Sequence, residues 1–193
     1  MPNSSTNFLL EFLRHPGQTG AVLPSSEYLA EAMVEWLDLG TARAVLEYGP
    51  GTGPFTPHVV KRLREDCRFL AIERNASLAG EFKSRLPNVQ LVQDSVENVR
   101  AICDRAGIDS VDCIVCGLPW AAFPDDLQKR LLDAMATVLR PGGQFVTFAY
   151  LHGLPLPAGR RFAKRLPEYF REVGRSRTVW MNVPPALVYR CRR

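Results

Sequence analysis

The chain has 193 residues, 46% of them hydrophobic and 23% charged, which excludes a disordered, collagen-like or coiled-coil protein and fits one domain burying roughly 70% of its unfolded surface. The net charge of +4 is unevenly spread, because residues 158–193 hold ten Lys and Arg against Glu168 and Glu172, a local +8, while the first 157 residues carry −4. A basic end on an acidic body predicts an anionic partner, nucleic acid or an acidic membrane surface, against the alternative of a charged face kept for solubility.

Taken from the N-terminus, MPNSSTNFLLEFLRHPGQ is broken by Glu11 and Arg14 before any apolar stretch reaches signal-peptide length. No run of about 18 uncharged apolar residues follows, so no spanning helix is expected and the predicted compartment is the cytoplasm. Phe8, Leu9, Leu10, Phe12 and Leu13 form a short apolar segment suited to packing over a pocket or to lying in a membrane interface. Ser25 and Ser26 can cap a helix that presents Leu29, Met33, Trp36 and Leu37 on one side and ends at Gly40. Residues 1–40 thus read as a helical lid or membrane-contact segment on a core of residues 41–193, the whole being one domain.

Five short apolar runs follow: Arg43 to Gly49, Cys67 to Glu73, Val89 to Gln93, Val111 to Cys116 and Gln144 to Leu151. Continuous apolarity in strands this short predicts that both faces are covered. Between the runs, residues 54–65, 75–86, 95–106 and 124–140 have helical spacing. The last carries the stripe Leu127, Leu131, Leu132, Met135, Val138 and Leu139 and is stopped by Pro141-Gly142-Gly143. Cys113 and Cys116 lie inside the fourth run, without a second Cys or His pair nearby, and read as buried strand residues rather than a redox or zinc motif; no metal site is predicted. After the fifth run come a basic helical segment at about 160–171 and two β-like runs, Ser176 to Val183 and Ala186 to Arg190, either side of a Pro184-Pro185 turn. The expected architecture is an α/β, doubly wound, Rossmann-like and mostly parallel seven-stranded sheet, with a C-terminal antiparallel hairpin and N-terminal helices.

The first strand runs into Glu47-Tyr48-Gly49-Pro50-Gly51-Thr52-Gly53, a glycine-rich turn that lets a ligand approach the backbone at the carboxyl end of the strand. A dinucleotide fingerprint would need glycine at 54 or 56, where Pro54 and Thr56 stand, and an apolar residue in place of Glu47. The nicotinamide reading is therefore weak.

The pattern E-x-G-x-G-x-G resembles the first motif of the class I S-adenosylmethionine-dependent methyltransferases. The resemblance implies S-adenosylmethionine as cofactor, with Glu47 helping to hold its methionine part and Gly49, Gly51 and Gly53 making room for it. Glu73, with Arg74 beside it, ends the second strand where the family has the acid that takes both ribose hydroxyls. Asp94, followed by Ser95, matches the family's acid near the adenine amino group. Three acids at the right strand ends around one glycine turn outweigh the reading of each as solvated surface.

The fourth strand ends in Cys116-Gly117-Leu118-Pro119-Trp120, in the place of the family's acceptor motif. Members that methylate nucleobases carry an Asn or Asp where Gly117 stands, to accept a hydrogen bond from a poorly nucleophilic amine. An alkyl amine, nucleophilic once deprotonated, loses less by its absence. Leu118 and Pro119 would shape the acceptor site and Trp120 would meet a methylated ammonium through its face. Tyr150 and His152, just past the fifth strand, are the candidates to orient the amine or accept its proton, since an alkylammonium titrates near a pKa of about 10. An ordinary structural role competes with the functional one at each of these positions.

The chain as a whole resembles the bacterial phospholipid N-methyltransferases that act on phosphatidylethanolamine. The resemblance rests on Phe12-Leu13-Arg14-His15-Pro16, on Gly20-Ala21-Val22-Leu23-Pro24-Ser25-Ser26, on the glycine turn and Gly117-Leu118-Pro119, and on Asn182-Val183-Pro184-Pro185-Ala186 running into Val188-Tyr189-Arg190. It implies methyl transfer to the amine of a phospholipid headgroup by an enzyme peripheral to an anionic membrane surface. Gly17-Gln18 keeps the ribosomal RNA adenine dimethylases open. Methylation of a small molecule, and a non-catalytic module that binds anionic surfaces, stay open as well.

Overall fold

The computed structural model describes residues 26–193. The apolar segment from Phe8 to Leu13, the motif residues up to Pro24 and the proposed cap Ser25 lie outside the described residues.

The first described helix, α1 (Glu27–Val34), starts at Ser26, whose hydroxyl accepts the Leu29 N–H at 3.2 Å. Leu29 and Met33 are fully buried. The helix stops six residues short of Gly40, and Trp36 and Leu37 pack from the turn that follows it. Two buried amides tie this region to distant chain. Gln144 accepts the Asp38 N–H and donates to the Trp36 carbonyl, and Asn182 accepts the Ser26 N–H.

The sheet has seven strands: β1 (Ala44–Tyr48), β2 (Arg68–Ile72), β3 (Leu91–Val92), β4 (Val111–Cys116), β5 (Leu139–Tyr150), β6 (Glu172–Arg175) and β7 (Ala186–Arg192). Their spatial order is β3-β2-β1-β4-β5-β7-β6, parallel from β3 to β5 and antiparallel beyond. Five further helices are α2 (Thr56–Val60), α3 (Ala76–Arg85), α4 (Val99–Arg105), α5 (Asp125–Ala136) and α6 (Pro157–Tyr169). Residues of α4, α5 and α6 bury one face of the sheet with Leu46, Ile114 and Phe145, whereas α1 and α2 cover the other with Val45, Val115 and Val188. Strands covered on both faces are apolar throughout, as β1 and β4 are.

Three expected elements are corrected. The helix predicted to 140 ends at Ala136 with Thr137 as its cap. Val138 and Leu139 are as buried as the stripe predicted, but Leu139 pairs with Val111 and opens β5, so Pro141-Gly142-Gly143 falls inside an irregular stretch of that strand rather than past a helix. The hairpin is real, yet its first arm is β6 and not Ser176 to Val183. That run is a loop with a single bridge from Val179 to Ala186. β6 is an edge strand with all four residues exposed, so it has no apolar pattern to read. Cys113 and Cys116 are buried on opposite faces of β4, and burial pushes both thiols up to about 12, away from redox chemistry.

Candidate active site

The glycine turn leaves β1 at the carboxyl edge of the sheet. Gly49, Gly51 and Gly53 adopt φ of 59°, 59° and 84°, in the left-handed region where any side chain strains the backbone. A Cβ on Gly49 would lie 2.7 Å from Leu118 Cδ2, and one on Gly53 would meet Leu86 at 2.7 Å. Gly51 instead has no atom within 4 Å on that side, so its backbone faces open space.

Glu47, on β1 just before the turn, is 0% exposed. Its Oε2 accepts the Thr56 hydroxyl at 2.8 Å, from the first residue of α2. Its Oε1 has no hydrogen-bond partner among the described residues. Burial pushes its carboxyl from the usual 4.5 up to about 8, with the Thr56 bond only partly offsetting that. An unpartnered buried carboxyl oxygen beside an open glycine turn suits a cationic or hydrogen-bonding ligand.

Glu73 follows β2 and is also buried. Its Oε2 accepts the Gly51 N–H at 3.1 Å and its Oε1 the Asn75 N–H at 2.8 Å. One carboxylate therefore fixes the glycine turn and the start of α3, with acceptor capacity left on both oxygens. Arg74 beside it is exposed and makes no hydrogen bond among the described residues. Asp94, after β3, accepts the Asn98 side-chain amide at 2.8 Å and the Ser95 N–H at 2.7 Å, which hold its carboxyl below the usual range. Ser95 caps the 3-10 turn Val96–Asn98. The backbone thus brings Glu47, Glu73, Asp94 and the glycines to one edge of adjacent strands.

At the end of β4, Gly117 touches the glycine turn directly: a Cβ there would sit 2.5 Å from the Gly49 carbonyl oxygen. The place read from sequence as lacking an acceptor side chain is one where this packing admits none. Leu118 covers Gly49, and beyond it opens an apolar pocket of about 80 Å³. Pro119, Trp120, Tyr150, His152, Phe162 and Tyr189 are among its lining residues. Gly159 lets α6 pack against the turn at 151–153, since its Cβ would fall 2.2 Å from the Gly153 oxygen.

Trp120 is 5% exposed. One ring face stacks on Phe162 at 4.4 Å and its indole N–H donates to Thr147 Oγ1 at 3.1 Å, so most of the ring is held within the protein. Gln128, buried on α5, donates to the Trp120 and Ala158 carbonyls and locks that turn to α6. Tyr150 and His152 stack in parallel at 5.5 Å at the pocket mouth, Tyr150 half-buried with its hydroxyl pKa raised by burial, His152 exposed. Sequence reasoning missed Tyr189 as a site residue. It lines the pocket from β7, and its buried hydroxyl has no hydrogen-bond partner among the described residues. Its position inside an apolar β-run made it read as core.

Residues 45–143 match the family model described as a methyltransferase domain. An ornithine lipid N-methyltransferase of Singulisphaera acidiphila is 33% identical over 188 residues, covering 96% of this chain and 94% of that protein. An uncharacterized methyltransferase of Mycobacterium tuberculosis is 26% identical over 170 residues, 80% of this chain and 65% of its own length. Among solved structures, an O-methyltransferase of Bacillus cereus in complex with SAH superposes with a TM-score of 0.72 at 13% identity, over 100% of this chain and 93% of that one. The O-methyltransferase TomG of Streptomyces achromogenes gives 0.67 at 18% identity, over 99% and 91%. At such identities the solved structures establish the fold alone. Through the family model and a relative one-third identical over almost its whole length, the chain belongs to the class I S-adenosylmethionine-dependent methyltransferases.

Proposed function

We propose that the protein methylates the amine nitrogen of a lipid headgroup, with phosphatidylethanolamine or an ornithine lipid as acceptor. The observation that carries this reading is the apolar pocket set against the glycine turn across Leu118, in a chain one-third identical to an enzyme named for a lipid amine. Glu47 and the open side of Gly51 fit the methionine end of the cofactor, Glu73 its ribose, and Asp94 with Ser95 its adenine; Gly49, Gly53 and Gly117 keep the cradle clear. The cofactor supplies an electrophilic methyl on a sulfonium centre with a good leaving group.

What remains for the chain is to desolvate, align and deprotonate the amine. The apolar walls exclude water, which favours the neutral, nucleophilic form of the nitrogen over ammonium. Tyr150, kept un-ionised by its raised pKa, orients the nitrogen through its hydroxyl, and His152 stands exposed beside it to pass the released proton to solvent. With its ring stacked on Phe162, Trp120 walls and positions the site, and the part of it that lines the pocket receives the methylated ammonium. No helix among the described residues is long and apolar enough to cross a membrane, so the enzyme is proposed to reach lipid from the surface.

The test is incubation with isotopically labelled cofactor and a lipid mixture that contains phosphatidylethanolamine and ornithine lipid, with products resolved by mass spectrometry. Label in either headgroup is expected and identifies the acceptor. Label in ribosomal RNA with none in any lipid would sink the proposal in favour of nucleic-acid methylation.

A further inference from the structure

The loop joining β6 to β7, residues 176–185, carries the most exposed large apolar side chains among the described residues: Trp180 at 70%, Met181 at 66% and Val183 at 62%. Single exposed apolar residues are ordinary on protein surfaces, but three within four positions of one turn mark an interaction site. The turn is held rather than slack. Asn182, the residue between them that points inward, accepts the Ser26 N–H at 2.9 Å and donates to the Pro184 carbonyl at 2.7 Å. At the base, the Val179 N–H donates to the Ala186 carbonyl at 2.7 Å and Ser176 is bonded to Val188 through both its backbone N–H and its hydroxyl. Three apolar side chains are thus fixed outward by a fourth, polar one fixed inward.

Within the loop, residues 176–185, the only charged residue is Arg177. Arg175 and Arg177 are exposed and have no ion-pair partner among the described residues; Arg175 lies over the Tyr189 ring at 5.0 Å, and Arg171 sits at the far end of β6, where its N–H donates to the Arg192 carbonyl. Glu172, the single acid between 171 and 183, lies 3.8 Å from Arg192. On α6, Arg160 and Lys164 are also exposed without a carboxylate partner, while Arg161 and Arg165 lean on Asp125. The nearby Glu27 faces His58 at 2.9 Å, and Tyr28 next to it is 60% exposed. An aromatic tip with apolar neighbours, flanked on the chain by Arg175 and Arg177, complements the boundary between anionic headgroups and acyl chains.

The loop also stands at the active edge. β5 runs towards that edge and β7 returns from it, so Ala186 pairs with Tyr150 and the Leu151 N–H donates to the Pro185 carbonyl at 2.9 Å. Val179 bridges Ala186, so Trp180 leaves the sheet at the same edge as Tyr150 and His152. We infer that residues 177–183 are an interfacial anchor: Trp180, Met181 and Val183 enter the headgroup layer of an anionic bilayer, Arg177 and Arg175 meet lipid phosphates, and the pocket mouth is held against the lipid. The inference rests on the lipid-amine reading for why a bilayer is met at all.

The test uses the full chain, vesicles of phosphatidylcholine with and without phosphatidylglycerol, and the triple variant W180S/M181S/V183S. The wild-type chain is expected to co-sediment with the anionic vesicles, and bromine-labelled acyl chains to quench emission that Trp180→Phe removes. The triple variant should bind the vesicles about tenfold more weakly or worse while its S-adenosylhomocysteine affinity and urea unfolding match the wild type. Equal vesicle binding by the triple variant overturns the inference, as when the segment from Phe8 to Leu13 carries the binding alone. So does a dimer that the triple variant dissociates while vesicle binding stays unchanged, which makes the loop a protein contact. Methyl transfer is followed separately on lipid amine dispersed in detergent, where no bilayer is needed: its absence refutes the substrate reading, and the vesicle assay alone judges the anchor.

Discussion

Replacing Glu47 with Gln should stabilise the ligand-free protein, and by more at pH 7 than at pH 5. In the folded chain the carboxyl holds its proton to about pH 8, and its usual value is 4.5. Unfolding therefore releases a proton throughout that window, so the contribution of this residue to stability falls as pH rises from about 5 to about 8 and is level outside it. The slope is about 1.4 kcal/mol per pH unit, so the stability difference between variant and wild type should grow by about 2–3 kcal/mol from pH 5 to pH 7. Gln is close to the protonated acid in shape and can still accept the Thr56 hydroxyl, so packing changes cancel when the two pH values are compared. Urea unfolding of both proteins at both pH values measures the quantity. A difference that stays constant within about 0.5 kcal/mol would falsify the protonated, desolvated Glu47 on which this rests. A cationic group bound near Oε1 should pull the same proton off, so calorimetry of S-adenosylhomocysteine binding in buffers of different ionisation enthalpy should detect proton release from the wild type near pH 7 and less from E47Q.

Other substitutions separate the roles assigned around the site. Gly117→Ala puts a methyl against the Gly49 carbonyl; it should cost about 1–3 kcal/mol in urea unfolding and weaken S-adenosylhomocysteine binding together. Asp94→Asn should weaken that binding about tenfold or more while leaving unfolding within about 0.5 kcal/mol, as isothermal titration and urea curves would record. Trp120→Phe removes the indole N–H to Thr147 and some packing on Phe162, so about 1–2 kcal/mol of stability and much of kcat should go while cofactor affinity is kept. Tyr189→Phe distinguishes two uses of an unpartnered hydroxyl: a lower kcat/KM at unchanged stability assigns it to the substrate, and a more stable, equally active enzyme assigns it to the core.

What was legible in the sequence follows from which forces leave a pattern. Strands buried on both faces write continuous apolar runs, so β1, β2, β4 and β5 could be read, and an acid at the end of such a run, as at Glu47 or Glu73, falls at the sheet edge by construction. Val138 and Leu139 kept helical spacing while belonging to the approach to β5, because burial alone does not distinguish the two periods over so short a stretch. β6 is an exposed edge strand and left no signal, whereas the neighbouring run from Ser176 to Val183 read as β-like and is a loop. Hidden altogether were the buried amides Gln128, Gln144 and Asn182. Their partners lie up to 156 residues away, and nothing local predicts a hydrogen bond across that separation.

The absent side chain at 117 looked from sequence like a chemical loss, the missing partner for a substrate amine. In three dimensions it is a steric condition: the carboxyl end of β4 lies against the Gly49 carbonyl, and Leu118 then closes over the same glycine. Leu118 thus stands between the glycine turn and the pocket and presents aliphatic carbon to both. A leucine side chain makes no hydrogen bond, so under the proposed reaction selection of the nucleophile falls to desolvation by the apolar lining and to Tyr150 and His152. An acceptor that is already a good nucleophile once it has lost its proton needs little more. A ring amine that depends on a carboxamide to be activated finds no such group among the residues that line this pocket, which supports the alkyl amine acceptor proposed above.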